Sequence, residues 1–211
     1  ISKNDEEELA VQVRIASQLM SVLIIPPIAF ISLLTKPILL IWLGNEITAE
    51  NTAQILQIMI LGTMFICCSL PPVSILYSRK KLMPVVMVNL ICAIFLIPIL
   101  VFAINSYGTF GAAFMWCFYG LVLYFSHHLI GLHGLPEIRL ISYITKTFIA
   151  PCLMSFLFGG IAWYFLNGIS GKITFISIFI LLLLIGWLTA MLSCKDLREI
   201  FLEKLEWKNI L

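Results

Sequence analysis

Long apolar stretches without any charge alternate with short charged clusters along the whole chain. No Asp, Glu, Lys or Arg occurs in 15–35, 53–78, 82–136, 147–171 or 173–194. A helix needs about 20 apolar residues to cross roughly 30 Å of hydrocarbon, so four of these stretches each suit one span. The stretch 82–136 is long enough for two, and the turn residues Asn105-Ser106-Tyr107-Gly108-Thr109 place the division. The pattern predicts an all-α, polytopic membrane helix bundle. Its six transmembrane helices fall at about 15–35, 54–77, 82–104, 108–130, 147–166 and 173–193. β-Barrel strands are short and alternate apolar with polar residues, unlike these runs. Residues 1–194 then form one six-helix lobe, and 195–211 form a tail.

Composition strengthens this reading. Of 211 residues, 61% are hydrophobic and only 11% are charged, against roughly 45–50% and about 25% in a soluble domain. The net charge of +2 gives nucleic-acid binding no support. The placement of the cations is more informative. With six spans, Lys36 and Lys172 fall on one side, and the other eleven of the thirteen Lys and Arg fall on the opposite side. Cytoplasmic loops are rich in Lys and Arg, so both termini are expected in the cytoplasm.

The ends of the chain carry their own signals. The run Asn4-Asp5-Glu6-Glu7-Glu8 suits a helix N-terminus, where carboxylates meet the positive end of the helix dipole. The segment 38–44 is too short to cross, and its Trp42 suits the headgroup level. In the tail, Leu197, Ile200, Phe201 and Leu205 share one helical face and charges fill the other, with Trp207 as anchor. That pattern predicts a cytoplasmic amphipathic helix lying in the interface. The chain starts at Ile1 without a signal-peptide pattern and reads as a piece of something longer.

Two features inside the spans bear on function. Pro26-Pro27 lie near the middle of the first span, and Pro71-Pro72 lie ahead of Arg79-Lys80-Lys81 in the second. Proline costs less in a bilayer than in water, because neighbouring helices and local adjustments satisfy the freed carbonyls. The pairs therefore mark bends, and the residues alone leave a flexing hinge and a static kink equally open. Polar residues within spans tend to face the protein interior or a water-filled path. Gln18, Gln54, Gln57 and Asn89 are the candidates, each as an interhelical hydrogen bond or a ligand contact.

Other chemistry is thin. Five cysteines lie within spans and no zinc-type spacing appears, so they are expected to pack as small apolar groups. His127, His128 and His133 sit near the end of the fourth span. Adjacent side chains diverge, so solvation at the interface is expected rather than a metal site. No nucleophile elbow, P-loop or carboxylate pair is present, so neither an enzyme nor a cofactor site is expected.

Several segments in order resemble bacterial lipid-linked oligosaccharide flippases. KPILLIWLGNEI at 36–47 resembles the segment after their seventh helix. LPPVSILYSRKKLMPVVMVNL at 70–90 resembles their eighth helix, basic turn and ninth-helix start. YGTFGAAFMW at 107–116 looks like the start of their tenth helix, and HHLIGLHGLPE at 127–137 is similar to the segment that follows it in O-antigen exporters. These flippases belong to the polysaccharide exporter family of the multidrug/oligosaccharidyl-lipid/polysaccharide exporter superfamily.

The resemblance implies the C-terminal six-helix lobe of a two-lobe transporter in the bacterial inner membrane. Its partners would be an N-terminal lobe, membrane lipid, glycan polymerase or assembly proteins, and an undecaprenyl-type lipid diphosphate-linked oligosaccharide as cargo. It makes Pro26, Pro27, Pro71 and Pro72 hinge residues beside the cavity. It makes Arg14 and Arg79, with Gln18, Gln54 and Gln57, candidate substrate contacts. A drug or cation antiporter of the same superfamily and a non-transporting scaffold of a glycan-assembly complex are the alternatives. The cation count generates the first prediction. In a cysteine-free background, a cysteine replacing Ser142 should react with an impermeant maleimide only from the cytoplasmic side, and labelling from outside would reverse the orientation.

Overall fold

The computed structural model describes residues 3–133, 135, 138–166 and 171–200. Phe201, Leu205 and Trp207 of the expected amphipathic tail, Glu137, and most of the 167–172 connection lie outside the described residues. The described elements are helical, with no strand among them. They are α1 (Lys3–Leu33), α2 (Thr35–Leu43), α3 (Glu46–Cys68), α4 (Leu70–Ser78), α5 (Met83–Gly131), α6 (Leu140–Ile144), a π-helical turn (Thr145–Ile149), α7 (Ala150–Leu166) and α8 (Lys172–Ser193).

Five helical stretches are long and apolar enough to cross a membrane: 6–33, 46–78, 83–131, 140–166 and 173–193. Five helices and six hydrophobic segments describe the same chain, because α5 holds two of the segments. Its 49 residues would extend about 74 Å if straight, more than twice the hydrocarbon thickness. It does not run straight. Gly108 has φ 60° and ψ −138°, a conformation open to glycine and strained for other residues. Three residues later, a Cβ on Gly111 would lie 2.1 Å from the Ala103 carbonyl oxygen. Positions eight apart in a straight helix are about 12 Å apart along its axis. The chain therefore folds back at Gly108, and the two arms of α5 run side by side.

The chain divides into two compact units, Ile31–Gly134 and Ile1–Phe30 with Leu135–Leu211. In the 31–134 unit, α2 ends on Gly44 in the left-handed conformation, φ 66°. Asn45 caps α3 by accepting the Thr48 N–H at 3.0 Å. Lys36 bridges α2 to Glu50 of α3 at 2.7 Å, over a buried cluster of Leu39, Ala49 and Ala53. α3 is interrupted at Ser69, two residues ahead of the first proline. Pro71 and Pro72 then occupy the first turn of α4, where a missing N–H breaks no helical bond. α4 ends with Lys80 at φ 55° and a Lys81 N–H bond to the Leu76 carbonyl at 2.8 Å. That left-handed closure turns Arg79-Lys80-Lys81 into the stop of the helix.

Close backbone approach joins α3 and α4 to the second arm of α5. A Cβ on Gly120 would sit 2.4 Å from the Gly62 oxygen, and one on Gly131 would sit 2.4 Å from the Pro72 oxygen. Lipid-embedded helices gain little by hiding apolar surface from lipid, so small residues that let backbones meet supply the attraction.

In the other unit, α1 passes Pro26-Pro27 without losing its helical course. The break in the second span has no counterpart here. Phe30 anchors α1 to α8, its ring edge-on to Phe179 with centroids 6.1 Å apart. α6, the π turn and α7 form one continuous rod. Pro151 explains the wide turn ahead of it, because an α-helical course would drive its ring into the Thr147 carbonyl.

Replacing Gly120 with Ala should destabilise the protein by about 1–3 kcal/mol, since the Gly62 backbone cannot move aside as a side chain could. A lower midpoint in thermal unfolding in detergent is the expected result. An unchanged midpoint would mean that the approach is not tight.

Candidate functional site

The sequence-derived candidates fall into two groups, one in each unit. In the unit of residues 1–30 and 135–211, Arg14 and Gln18 converge on one carboxylate. Gln18 is fully buried and donates from Nε2 to the Asp196 carboxylate at 2.9 Å. Arg14 Nε lies 3.4 Å from the same oxygen, as an ion pair. The Gln18 amide oxygen accepts the Leu197 N–H at 3.3 Å. That N–H belongs to the first turn of the helical stretch 195–200, where backbone donors have no partner within the helix. Gln18 therefore caps the helix that follows α8, and Asp196 sits where that helix dipole favours a negative charge. Ser17, beside Gln18, is hydrogen-bonded to the Tyr143 hydroxyl.

Next to this cluster lies a cavity of about 190 Å³, lined by Ala10, Arg14, Ile138, Arg139, Ser142, Tyr143 and Lys146. Among the described residues, three cations and no carboxylate line it. Sequence reading singled out Arg14 alone. Arg139, Ser142, Tyr143 and Lys146 were missed as a set, although their spacing of three, four and seven puts them on one helical face. The π turn carries Lys146. Thr145 and Thr147 hold that turn by donating to the Ile141 and Tyr143 carbonyls, each at 2.8 Å.

The 31–134 unit holds the remaining candidates, dispersed rather than gathered. Gln57 donates to the Ser32 carbonyl at 2.7 Å, a tie between two helices. Gln54 is exposed, and Arg79 is half-buried at the end of α4. Asn89 is bonded back to its own helix, to the Val85 carbonyl at 3.0 Å. A larger cavity, about 640 Å³, lies between α3 and the two arms of α5. Its walls are almost wholly apolar, with Asn89, Thr109 and Tyr119 adding polar groups among residues such as Met59, Leu96, Leu100 and Trp116.

The histidines differ from expectation. His127 and His128 are buried, 6% and 1% exposed, and only His133 is exposed. His127 Nδ1 lies 3.1 Å from the Ser69 hydroxyl, and His128 Nδ1 lies 2.7 Å from the Tyr124 carbonyl. The helix interruption accounts for the burial of His127: Ser69 offers a polar partner inside the bundle, which the sequence could not display. Neither joins a metal cluster, and no group of three ligands occurs among the described residues.

Residues 1–102 match the MatE family model. The matching stretch covers just under half the chain, from α1 through most of the first arm of α5. It contains both proline pairs and all five sequence-derived substrate candidates, and it stops short of Arg139, Lys146 and Asp196. No curated protein and no solved structure gives a match.

Cys194, at the end of α8, lies outside the spans, and burial pushes its thiol up to about 11. A thiol raised in the folded state stabilises fully below its ordinary value of about 9. That contribution is lost as pH rises from about 9 to 11, so the wild type should lose more stability over that range than Cys194→Ala.

Asp196→Ala leaves the buried Gln18 amide without its acceptor and should cost about 1–3 kcal/mol. Asp196→Asn keeps an oxygen for Gln18 and removes the charge that faces Arg14, so its loss should be smaller. Thermal unfolding of the two variants reads the difference. Equal losses would assign the whole effect to the charge.

Proposed function

We propose that this chain is the C-terminal lobe of a flippase that moves a lipid diphosphate-linked oligosaccharide across the cytoplasmic membrane by alternating access. The cargo would serve surface polysaccharide assembly of the O-antigen type. The observation that carries the reading is that the MatE-matching stretch holds its paired prolines in spans without a carboxylate, with Arg14 and Arg79 at the ends of those spans. Asp and Glu are absent from 9–45, 51–136 and 138–195. A cation-coupled drug antiporter of the same superfamily would be expected to bury such carboxylates, because they bind the coupling ion or proton. A static scaffold would need neither the paired prolines nor an interruption at Ser69.

In this reading Arg14 and Arg79 attract the diphosphate, Arg14 near the start of α1 and Arg79 at the end of α4. A unit charge pair at about 4 Å, with an effective dielectric near 20, is worth roughly 4 kcal/mol before desolvation is subtracted. Even a third of that is about tenfold in affinity. Gln54 and Gln57 offer amide contacts, and Gln18 acts through Asp196 by holding the counter-charge of Arg14. The Ser69 interruption and the prolines around it form the hinge, and Pro26-Pro27 let α1 flex. An N-terminal lobe completes the cavity, so residues 1–211 alone should insert without supporting export.

Export by Arg14→Gln and Arg79→Gln, in a strain lacking the wild-type protein, tests the phosphate role. Each should fall about tenfold or more, with topology and protein level unchanged. Lys should rescue part of the loss, keeping the charge without the bidentate fork. Full export by both Gln variants would leave the arginines as orientation signals alone.

A further inference from the structure

The 190 Å³ cavity beside Arg14 is a built site whose chemistry differs from that of its surroundings. It lies where α1 and the rod of α6, the π turn and α7 both enter their apolar stretches, so its mouth is at the level of lipid headgroups. Arg14 pairs with the carboxylate of Asp196, and Arg139 and Lys146 are exposed. The hydroxyl of Ser142 adds a neutral donor between them in sequence. The π turn matters as well. It carries Lys146, four residues after Ser142 and seven after Arg139, so that all three fall on one face of the rod.

We infer that this cavity binds a phosphate group at the membrane surface, the phosphodiester of an anionic phospholipid in the same leaflet. Arg139 supplies a planar fork that matches two phosphate oxygens, and Lys146 supplies a point charge. Ser142 donates to a third oxygen. Arg14 contributes long-range attraction while it remains held by Asp196. Basic pockets beside spanning helices on the cytoplasmic side are suited to such headgroups, and each nearby cation strengthens attraction to an anionic leaflet. The site shares Arg14 with the transport reading, but its direct contacts from Arg139, Ser142 and Lys146 lie within one unit and need no cargo.

The test uses the full-length protein in nanodiscs of phosphatidylcholine doped with phosphatidylglycerol. Native mass spectrometry counts the phosphatidylglycerol retained after mild delipidation. The double variant Arg139→Gln, Lys146→Gln should retain on the order of tenfold less than wild type. Lys195→Gln, an exposed cation outside the cavity, should retain as much as wild type. Exchanging the two charges, Arg139→Lys with Lys146→Arg, should restore most of the retention and shows that the double variant did not fail by misfolding. A second arm titrates sodium pyrophosphate into the protein in neutral detergent. Saturable pyrophosphate binding that the double variant loses, with lipid retention unchanged, would assign the site to a free phosphate and overturn the lipid source. Equal retention in wild type and double variant without pyrophosphate binding would overturn the site itself. So would an equal loss in Lys195→Gln, because general surface charge would then account for the result. Retention is read without cargo, so a failed export assay leaves it standing.

Discussion

A backbone that crosses hydrocarbon has no water to accept its free N–H and C=O groups, so each interruption of a helix must be repaired by a specific neighbour. The interruptions in this protein are few, and each is repaired differently. At Ser69 the hydroxyl turns back to the Ile66 carbonyl at 2.7 Å, and His127 meets it from the second arm of α5. After α8, where Cys194 breaks the helix, the amide of Gln18 takes the free Leu197 N–H. Ahead of Pro151, widening into a π turn removes the clash. Polar side chains gather at these repairs because the backbone there demands partners.

The same constraint orders the charges. Arg14 lies at the margin of an apolar span, and its carboxylate partner comes from the far end of the sequence. Asp196 balances Arg14, accepts from Gln18 and favours the start of the helix it belongs to, so one carboxylate meets three demands. The cavity beside it keeps Arg139 and Lys146 directed at the same small volume. Cations held close together at the headgroup level repel one another, and an anionic group between them relieves that repulsion. The arrangement therefore suits a phosphate better than it suits an empty surface.

The sequence made some of this legible and hid the rest for physical reasons. Charge-free stretches announce spans directly, since the bilayer tolerates little else, and the fold-back at Gly108 follows from a stretch too long to cross once. The interruption at Ser69 was displaced from the prolines that signal it, because proline is comfortable in a first turn and the strain is met just before it. Burial of His127 and His128 depends on a helix that arrives from elsewhere, and no local pattern reports that. Gln18 was visible as a polar residue within a span, but its role as a cap came from a partner 178 residues away. The cationic cavity was half legible: Arg139, Ser142 and Lys146 share a helical face, yet only the fold brings Arg14 to them.

The fold-back at Gly108 also bears on how the protein is made. The arms of α5 are joined without a charged residue from Leu82 to Pro136, so nothing at their connection tells the insertion machinery which way to point. The nearest cations are Arg79-Lys80-Lys81, which precede the first arm, and such clusters are the signals that orient a span. The second arm inherits its direction from the shortness of the turn. Neither arm has a polar segment long enough to wait in water for the other. Contact between Ala103 and Gly111 closes the inner surface within one continuous stretch of chain, so the two arms suit insertion together as one hairpin.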